Sequence, residues 1–386
     1  MDFAERMDRL GTETAFEVLA RAKELEAEGR DMIHLEIGEP DFDTPQHIID
    51  AACEALNSGW THYGPSAGDP ELREVVADYI NQSRGTSYSA SNTVIVPGGK
   101  PIIYWAITAL VDHGDEVIYP NPGFPIYESM INFCGATPVP VPLREENEFR
   151  LDANELTDLV TDRTSMIIIN SPHNPTGGVL TTDDLEAIGQ VAIENDIMVM
   201  SDEPYEKILY EGEHHSIAAV DGMQERTIIL DCMSKPFAMT GWRLGYGIGP
   251  VELVDQIAKL QTNCTSCVAS FVQRAGIAAL QGPMDDTMKM VEIFKKRRDV
   301  IIDGLNAIDG ISCLKPHGAF YAFPNITETG YDCRELETMC LEQANVAVLA
   351  GTAFGKYGEG YIRLSYANSV EKIEAALARI DEMLNG

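Results

Sequence analysis

Ser234-Lys235-Pro236-Phe237-Ala238-Met239-Thr240-Gly241-Trp242-Arg243 places a lysine, a hydroxyl and an arginine in one turn-rich stretch. Upstream, Thr227-Ile228-Ile229-Leu230 reads as a buried strand, and downstream Leu244-Gly245-Tyr246 restarts one. A lysine held in a loop between buried strands can lose its proton by desolvation and become a nucleophile able to form a Schiff base. Ser234 and Arg243 are both able to bind a phosphate, Arg243 through its planar fork.

Outward from this stretch, glycine and proline punctuate short apolar runs that alternate with helical patterns. Thr44-Pro45 opens a helix, with threonine as cap and proline in the first turn. Ile48, Ile49, Ala52 and Leu56 then fall on its inner face. Pro70 begins a second helix. Thr93-Val96 is a strand, Gly98-Gly99 a loop, and Pro101 to Leu110 an apolar helix. Glu116-Tyr119, Met166-Ile169 and Ile197-Met200 are further strands, the last two flanking a helix that starts near Thr182. Continuous apolar strands separated by helices indicate a mostly parallel α/β sheet covered on both faces. Met284 to Leu305 reads as a long helix leading to strands at Gly318-Phe323 and Tyr361-Tyr366 and a terminal helix from Val370 to Leu384. The first forty or so residues lie outside the α/β pattern and are expected against the smaller, C-terminal part.

Asp202 follows a strand at its C-terminal end, where open α/β sheets bind ligands. An aspartate in that place is otherwise a helix cap. Gly98-Gly99-Lys100-Pro101 joins a strand to a helix, and backbone N–H groups at a helix start bind phosphate without side chains. Arg363 sits in an apolar strand and needs an anionic partner; a bidentate grip on a carboxylate supplies one. Asn174 lies in a loop, Ser171-Pro172-His173-Asn174-Pro175-Thr176-Gly177, made of ordinary turn signals.

The chain has 386 residues, 45% of them hydrophobic, enough for a large core and two domains. Its net charge of -33 argues against nucleic acid and anionic membranes as partners. No apolar run reaches membrane-spanning length and no signal peptide is read, so a cytoplasmic enzyme is expected. The eight cysteines show no disulfide framework. Cys264 and Cys267 have a C-x-x-C spacing without a second ligand pair for zinc, and they are expected as free buried thiols.

The decapeptide resembles the Schiff-base motif of class I/II aminotransferases, pyridoxal-phosphate (PLP) enzymes of fold type I. There too an arginine follows the lysine by eight residues. The resemblance runs from about Gly38 to Ala367, and aspartate aminotransferase-like enzymes are the nearest general likeness. It implies an α/β fold with a large, mostly parallel sheet domain over 45–283 and a smaller α+β domain from 1–44 and 284–386. It implies that Lys235 holds PLP, that Asp202 keeps the pyridine nitrogen protonated, and that Tyr205 and Asn174 bond the ring oxygen. Gly99, Lys100, Ser234 and Arg243 would form the phosphate cup. Phe124 would stack on the ring, with Tyr127 at its usual offset. Arg363, Asn174 and the backbone of Gly38 would hold the substrate carboxylate. Tyr63 would cross to a neighbouring subunit's phosphate, which implies a homodimer. His173 departs from the commoner asparagine and is assigned no function. The activity implied is transamination between an amino acid and a 2-oxo acid, with a PLP-dependent lyase as the alternative. A PLP-binding regulator ranks last, because no basic helix-turn-helix pattern precedes Gly38.

Overall fold

A computed structural model describes residues 2–386. Met1, part of the stretch 1–44 expected in the smaller domain, lies outside the described residues.

Seven strands form the main sheet. In spatial order they are Thr93–Val96, Gly245–Ile248, Thr227–Cys232, Met198–Asp202, Thr164–Asn170, Glu116–Asn121 and Thr137–Pro142. Only Gly245–Ile248 runs antiparallel to its neighbours; the other pairings are parallel. Because side chains alternate along a strand, an unbroken apolar run buries both faces. Val94 and Val96 join one core layer, with the helices Lys100–Leu110 and Val251–Cys264. Ile95, between them, joins the opposite layer, under Pro70–Arg84 and Ser270–Gln281. Ile167 and Ile169 face a third cluster that includes Thr182–Glu194. The sheet is a covered, mostly parallel one, as the apolar runs indicate.

The long helix, Asp285–Leu305, packs Phe294, Ile301 and Leu305 into a separate core with Leu336, Ile362, Leu364 and Ile373. A three-stranded antiparallel sheet, Leu349–Ala350, Ile362–Ser365 and Tyr321–Ala322, crosses it. The expected strand Gly318-Phe323 shrinks to Tyr321–Ala322, because Ala319 adopts a positive φ of 57 that breaks the extended run. The N-terminal segment touches both regions. Ile33–His34 pairs in parallel with Val346–Ala347, while Val18, Ala22 and Leu25 pack beside Val141, Ile167 and Leu341.

Three local expectations need correction. Thr44 does not cap the helix Gln46–Asn57, whose first flanking residue is Pro45. Its hydroxyl instead donates to the Ala238 carbonyl at 2.7 Å and accepts from Trp242 Nε1 at 2.9 Å, tying this turn to the Lys235 loop. Leu56 is exposed and Ala55 buried, since the inner face runs Ile48, Ala52, Ala55. All eight cysteines are free, but Cys264 is exposed and Cys267 half-buried; the Val251–Cys264 helix buries Leu253, Val254, Ile257 and Gln261 and ends with Cys264 outside.

Candidate active site

Five parallel strand ends meet along one edge of the sheet. From them come Gly98-Gly99 after Val96, Asn121, Asn170, Asp202, and Ser234-Lys235 after Cys232. Gly99, Asn170, Asp202, Ser234 and Lys235 border a cavity of about 280 Å³, which Tyr321 and Arg363 of the small antiparallel sheet also line. Of the twelve residues expected at the site, eleven line this cavity: Gly38, Gly99, Lys100, Phe124, Asn174, Asp202, Tyr205, Ser234, Lys235, Arg243 and Arg363. Tyr63 is apart. It is 90% exposed and borders a separate groove with Trp60, Pro65 and Gln273.

Lys235 is half-buried, less desolvated than a lysine between buried strands is expected to be. Its Nζ donates to the Gly38 carbonyl at 2.5 Å and stands 5.8 Å from the ring centres of Tyr205 and Phe320. Asp202 is buried. Its Oδ2 accepts from the Tyr127 hydroxyl, and its Oδ1 meets no partner among the described residues. Burial pushes its carboxyl up to about 7; the Glu203 charge adds to this, while the Tyr127 hydrogen bond and the Lys235 ammonium hold it down. Asn170 locks the two neighbouring loops together, donating to the Asp202 carbonyl at 2.8 Å and accepting from the Asn174 N–H at 2.9 Å.

Arg363 is buried with neutral partners. It donates to Asn174 Oδ1 at 3.0 Å and to the Glu36 carbonyl, and it lies over the rings of Tyr321 and Phe354 at 4.6 and 4.7 Å. Its Nε has no partner among the described residues. Burial lowers its proton affinity. The anion that such a guanidinium needs is therefore not one of its direct protein contacts.

Gly98 has a φ of +86, and a Cβ there would run into the Arg243 guanidinium, so glycine is required on both counts. Arg243 itself takes a left-handed φ of 54 and donates to the Thr240 carbonyl at 2.9 Å. Gly99 starts the Lys100–Leu110 helix, whose N–H groups and dipole favour an anion at that end. Phe124 meets Tyr127 edge-on at 5.9 Å.

Several contacts at the site escape a reading of the sequence, even where the residue was named, as Tyr127 was. Tyr127 is on the Ile126–Cys134 helix, and only folding brings its hydroxyl to Asp202. Tyr321 pairs its hydroxyl with that of Tyr205 at 2.7 Å. Glu13 forms an ion pair with Lys100, whose ammonium stands 5.3 Å over the Phe124 ring. His173 is buried and hydrogen-bonds Thr176 at 2.8 Å; burial lowers it to about 3, so it stays neutral.

The geometry has counterparts in known proteins. Residues 30–380 match the family profile of class I and II aminotransferases. An aspartate aminotransferase of Pyrococcus horikoshii is 43% identical, covering 99% of this chain and 97% of that one. An aromatic-amino-acid aminotransferase of Thermococcus litoralis is 43% identical over 92% of each chain. The solved structure of the Thermus thermophilus aspartate aminotransferase with maleate superposes with a TM-score of 0.96, at 37% identity over 100% of both chains. The lyase alternative finds no support among these relatives. The chain belongs to the class I and II aminotransferases, pyridoxal-phosphate-dependent enzymes that exchange an amino group between an amino acid and a 2-oxo acid.

Proposed function

We propose that this chain binds pyridoxal phosphate on Lys235 and transaminates dicarboxylic amino acids. The observation that carries the reading is one cavity lined by a reachable lysine, a buried carboxylate with a bare oxygen, and a buried guanidinium with neutral partners. The residues fit the cofactor. Asp202 Oδ1 suits a ring N–H, and the Gly98-Gly99 turn, Ser234 and Arg243 suit a phosphate dianion. When bound, the cofactor supplies a carbonyl for the amino group and a ring that draws electrons from the substrate carbon. Asp202 would hold the ring-nitrogen proton, with Tyr127 orienting Asp202. Phe124 would cover a ring face, and Tyr205 and Asn174 would supply hydrogen-bonding groups for the ring oxygen. Lys235, once freed by the incoming amine, would take the proton from the substrate α-carbon and deliver it to the carbon that was the cofactor's aldehyde, two bonds away across the nitrogen. Arg363 grips the α-carboxylate as a fork, helped by Asn174 and the Gly38 backbone.

The cavity offers four cations, Lys100, Lys235, Arg243 and Arg363. Three have roles in this reading. Lys100 remains, neutralised by Glu13, and a substrate's distal carboxylate is the natural substitute for that glutamate. Relatives that act on aspartate support this choice, and the aromatic-acting relative makes it a matter for test.

The reading extends to a cytoplasmic homodimer in which Tyr63 reaches the partner's phosphate site. The exposed Leu56, Trp60 and Tyr63 supply apolar surface for that contact. We also divide the chain into a large cofactor domain, 45–283, and a small domain, 1–44 with 284–386.

Borohydride reduction of the purified holoenzyme followed by peptide mapping tests the assignment. The modified lysine should be Lys235, and Lys235→Ala should carry no label and no turnover. A label elsewhere, or transamination by Lys235→Ala near the parent rate, overturns it. A donor screen with 2-oxoglutarate and with pyruvate then fixes the substrate pair.

A further inference from the structure

The two strand ends that supply Asp202 and Lys235 carry charge on both faces. Asp202, Leu230 and Cys232 line the cavity. The alternating residues Ser201, Glu203 and Asp231 turn to the opposite side. There Glu203 and Asp231 meet Arg84, the last residue of the Pro70–Arg84 helix, whose side chain is wholly buried. Gly85 ends that helix with a φ of 72. Arg84 donates from Nε to Glu203 at 3.0 Å and from the guanidinium tip to Asp231 at 2.8 Å, with Glu206 at 3.4 Å.

Each carboxylate is held from other sides too. Glu203 accepts from Ser201 at 2.7 Å, Ser216 at 2.6 Å and His214 at 3.0 Å. Asp231 accepts from Tyr246, its antiparallel neighbour, at 2.9 Å, and from the Cys232 N–H at 2.7 Å. Glu206 accepts from Tyr79 and pairs with Lys207 at 3.3 Å. Three buried carboxylates thus share one buried guanidinium. Such a cluster is a poor route to stability, since apolar replacements of similar volume often serve as well or better. Its position gives it another use. Glu203 follows Asp202 in the chain, and its charge raises the proton affinity of Asp202. Asp231 stands four residues before Lys235.

We propose that Arg84 is a positioning residue for transamination: from behind the sheet it fixes the strand ends bearing Asp202 and Lys235, and with Glu203 it sets the field at Asp202. The inference rests on the reading of Asp202 as the partner of the ring nitrogen.

The test uses holoenzymes of the parent, Asp202→Asn, Glu203→Gln, Arg84→Lys and Arg84→Met. Glu203→Gln keeps the shape and removes one negative charge. The pH midpoint of the bound cofactor's visible band should fall by roughly one unit in that variant. Arg84→Met should lose kcat on the order of a hundredfold with KM little changed, as misplacement does, and Arg84→Lys should restore part of it. Thermal melting is followed alongside. If Arg84→Met does not fold, the Glu203→Gln midpoint decides. A parent-like midpoint in Glu203→Gln, or parent-like kcat in a folded Arg84→Met, whatever the melting temperatures, overturns the proposal. Should Asp202→Asn itself behave as the parent, the site reading fails and the proposal falls with it. An impaired Asp202→Asn beside an unchanged Glu203→Gln overturns the proposal alone.

Discussion

Replacing Tyr127 by phenylalanine removes one oxygen and leaves the packing of the ring in place. The side chain is fully buried, and its hydroxyl donates to Asp202 Oδ2. That bond favours the ionised carboxylate and opposes the burial that pushes Asp202 up to about 7. A hydrogen bond to a charged group contributes about 1.5–3 kcal/mol. With about 1.4 kcal/mol per pKa unit, Tyr127→Phe should raise Asp202 by about one to two further units. In the cofactor-free protein the folded pKa of Asp202 lies above the ordinary 3.8, so folding takes up a proton. The stability this contributes is fully present below the unfolded value and is lost as pH rises through the folded one, about 4 kcal/mol in all. In Tyr127→Phe the loss should continue to a pH of roughly 8–9. Urea unfolding of the apoprotein across that range reads it directly. Cofactor affinity gives the second measurement. Once Asp202 is ionised, the Tyr127 bond exists in both the free and the loaded protein and cancels. Below its pKa only the loaded form has it. Affinity in the variant should therefore fall about 10- to 100-fold at neutral pH and recover under alkaline conditions. An unchanged affinity at neutral pH, or a loss that grows with pH, would refute the reasoning.

Arg363→Lys replaces a fork by a single point of charge, and kcat/KM for the amino donor should fall roughly 10- to 100-fold, mostly through KM; steady-state kinetics check it, and an unaffected KM removes Arg363 from the substrate site. Lys100→Met should lower kcat/KM for aspartate roughly tenfold, one charge-assisted hydrogen bond, while an aromatic donor is spared; equal losses for both donors would count against a distal-carboxylate role. Lys235→Ala mixed with an impaired Tyr63→Phe should regain activity on subunit exchange, because one site of each mixed dimer receives both defects and the other neither; no recovery after confirmed exchange dismisses the shared site.

Eleven of the expected residues line one cavity, and some carry a local signal: a polar residue ending an apolar strand, as at Asp202, a glycine pair before a helix, or a charge inside an apolar run, as at Arg363; Gly38, Phe124, Asn174 and Tyr205 came from the family resemblance alone. The sheet was legible for the same reason, since both of its faces are buried. What escaped depends on segments meeting. Tyr127 reaches Asp202 across 75 positions and Glu13 reaches Lys100 across 87, and no periodicity encodes either encounter. Errors of one position, as with Leu56 for Ala55, arose because a helix face drifts relative to any integer repeat. Thr44 looked like a cap because a threonine before proline is one in most contexts; here its hydroxyl is engaged by Ala238 and Trp242 from the Lys235 loop.

The short segment from Glu36 to Gly38 touches both functional cations through backbone carbonyls, Arg363 at Glu36 and Lys235 at Gly38. Those two contacts span 327 and 197 positions along the chain. In a growing chain these carbonyls are made long before the cations that they meet. Loop closure over such separations comes late in folding. Both contacts close over long loops, so this stretch takes its place only once the tertiary fold has brought distant segments together.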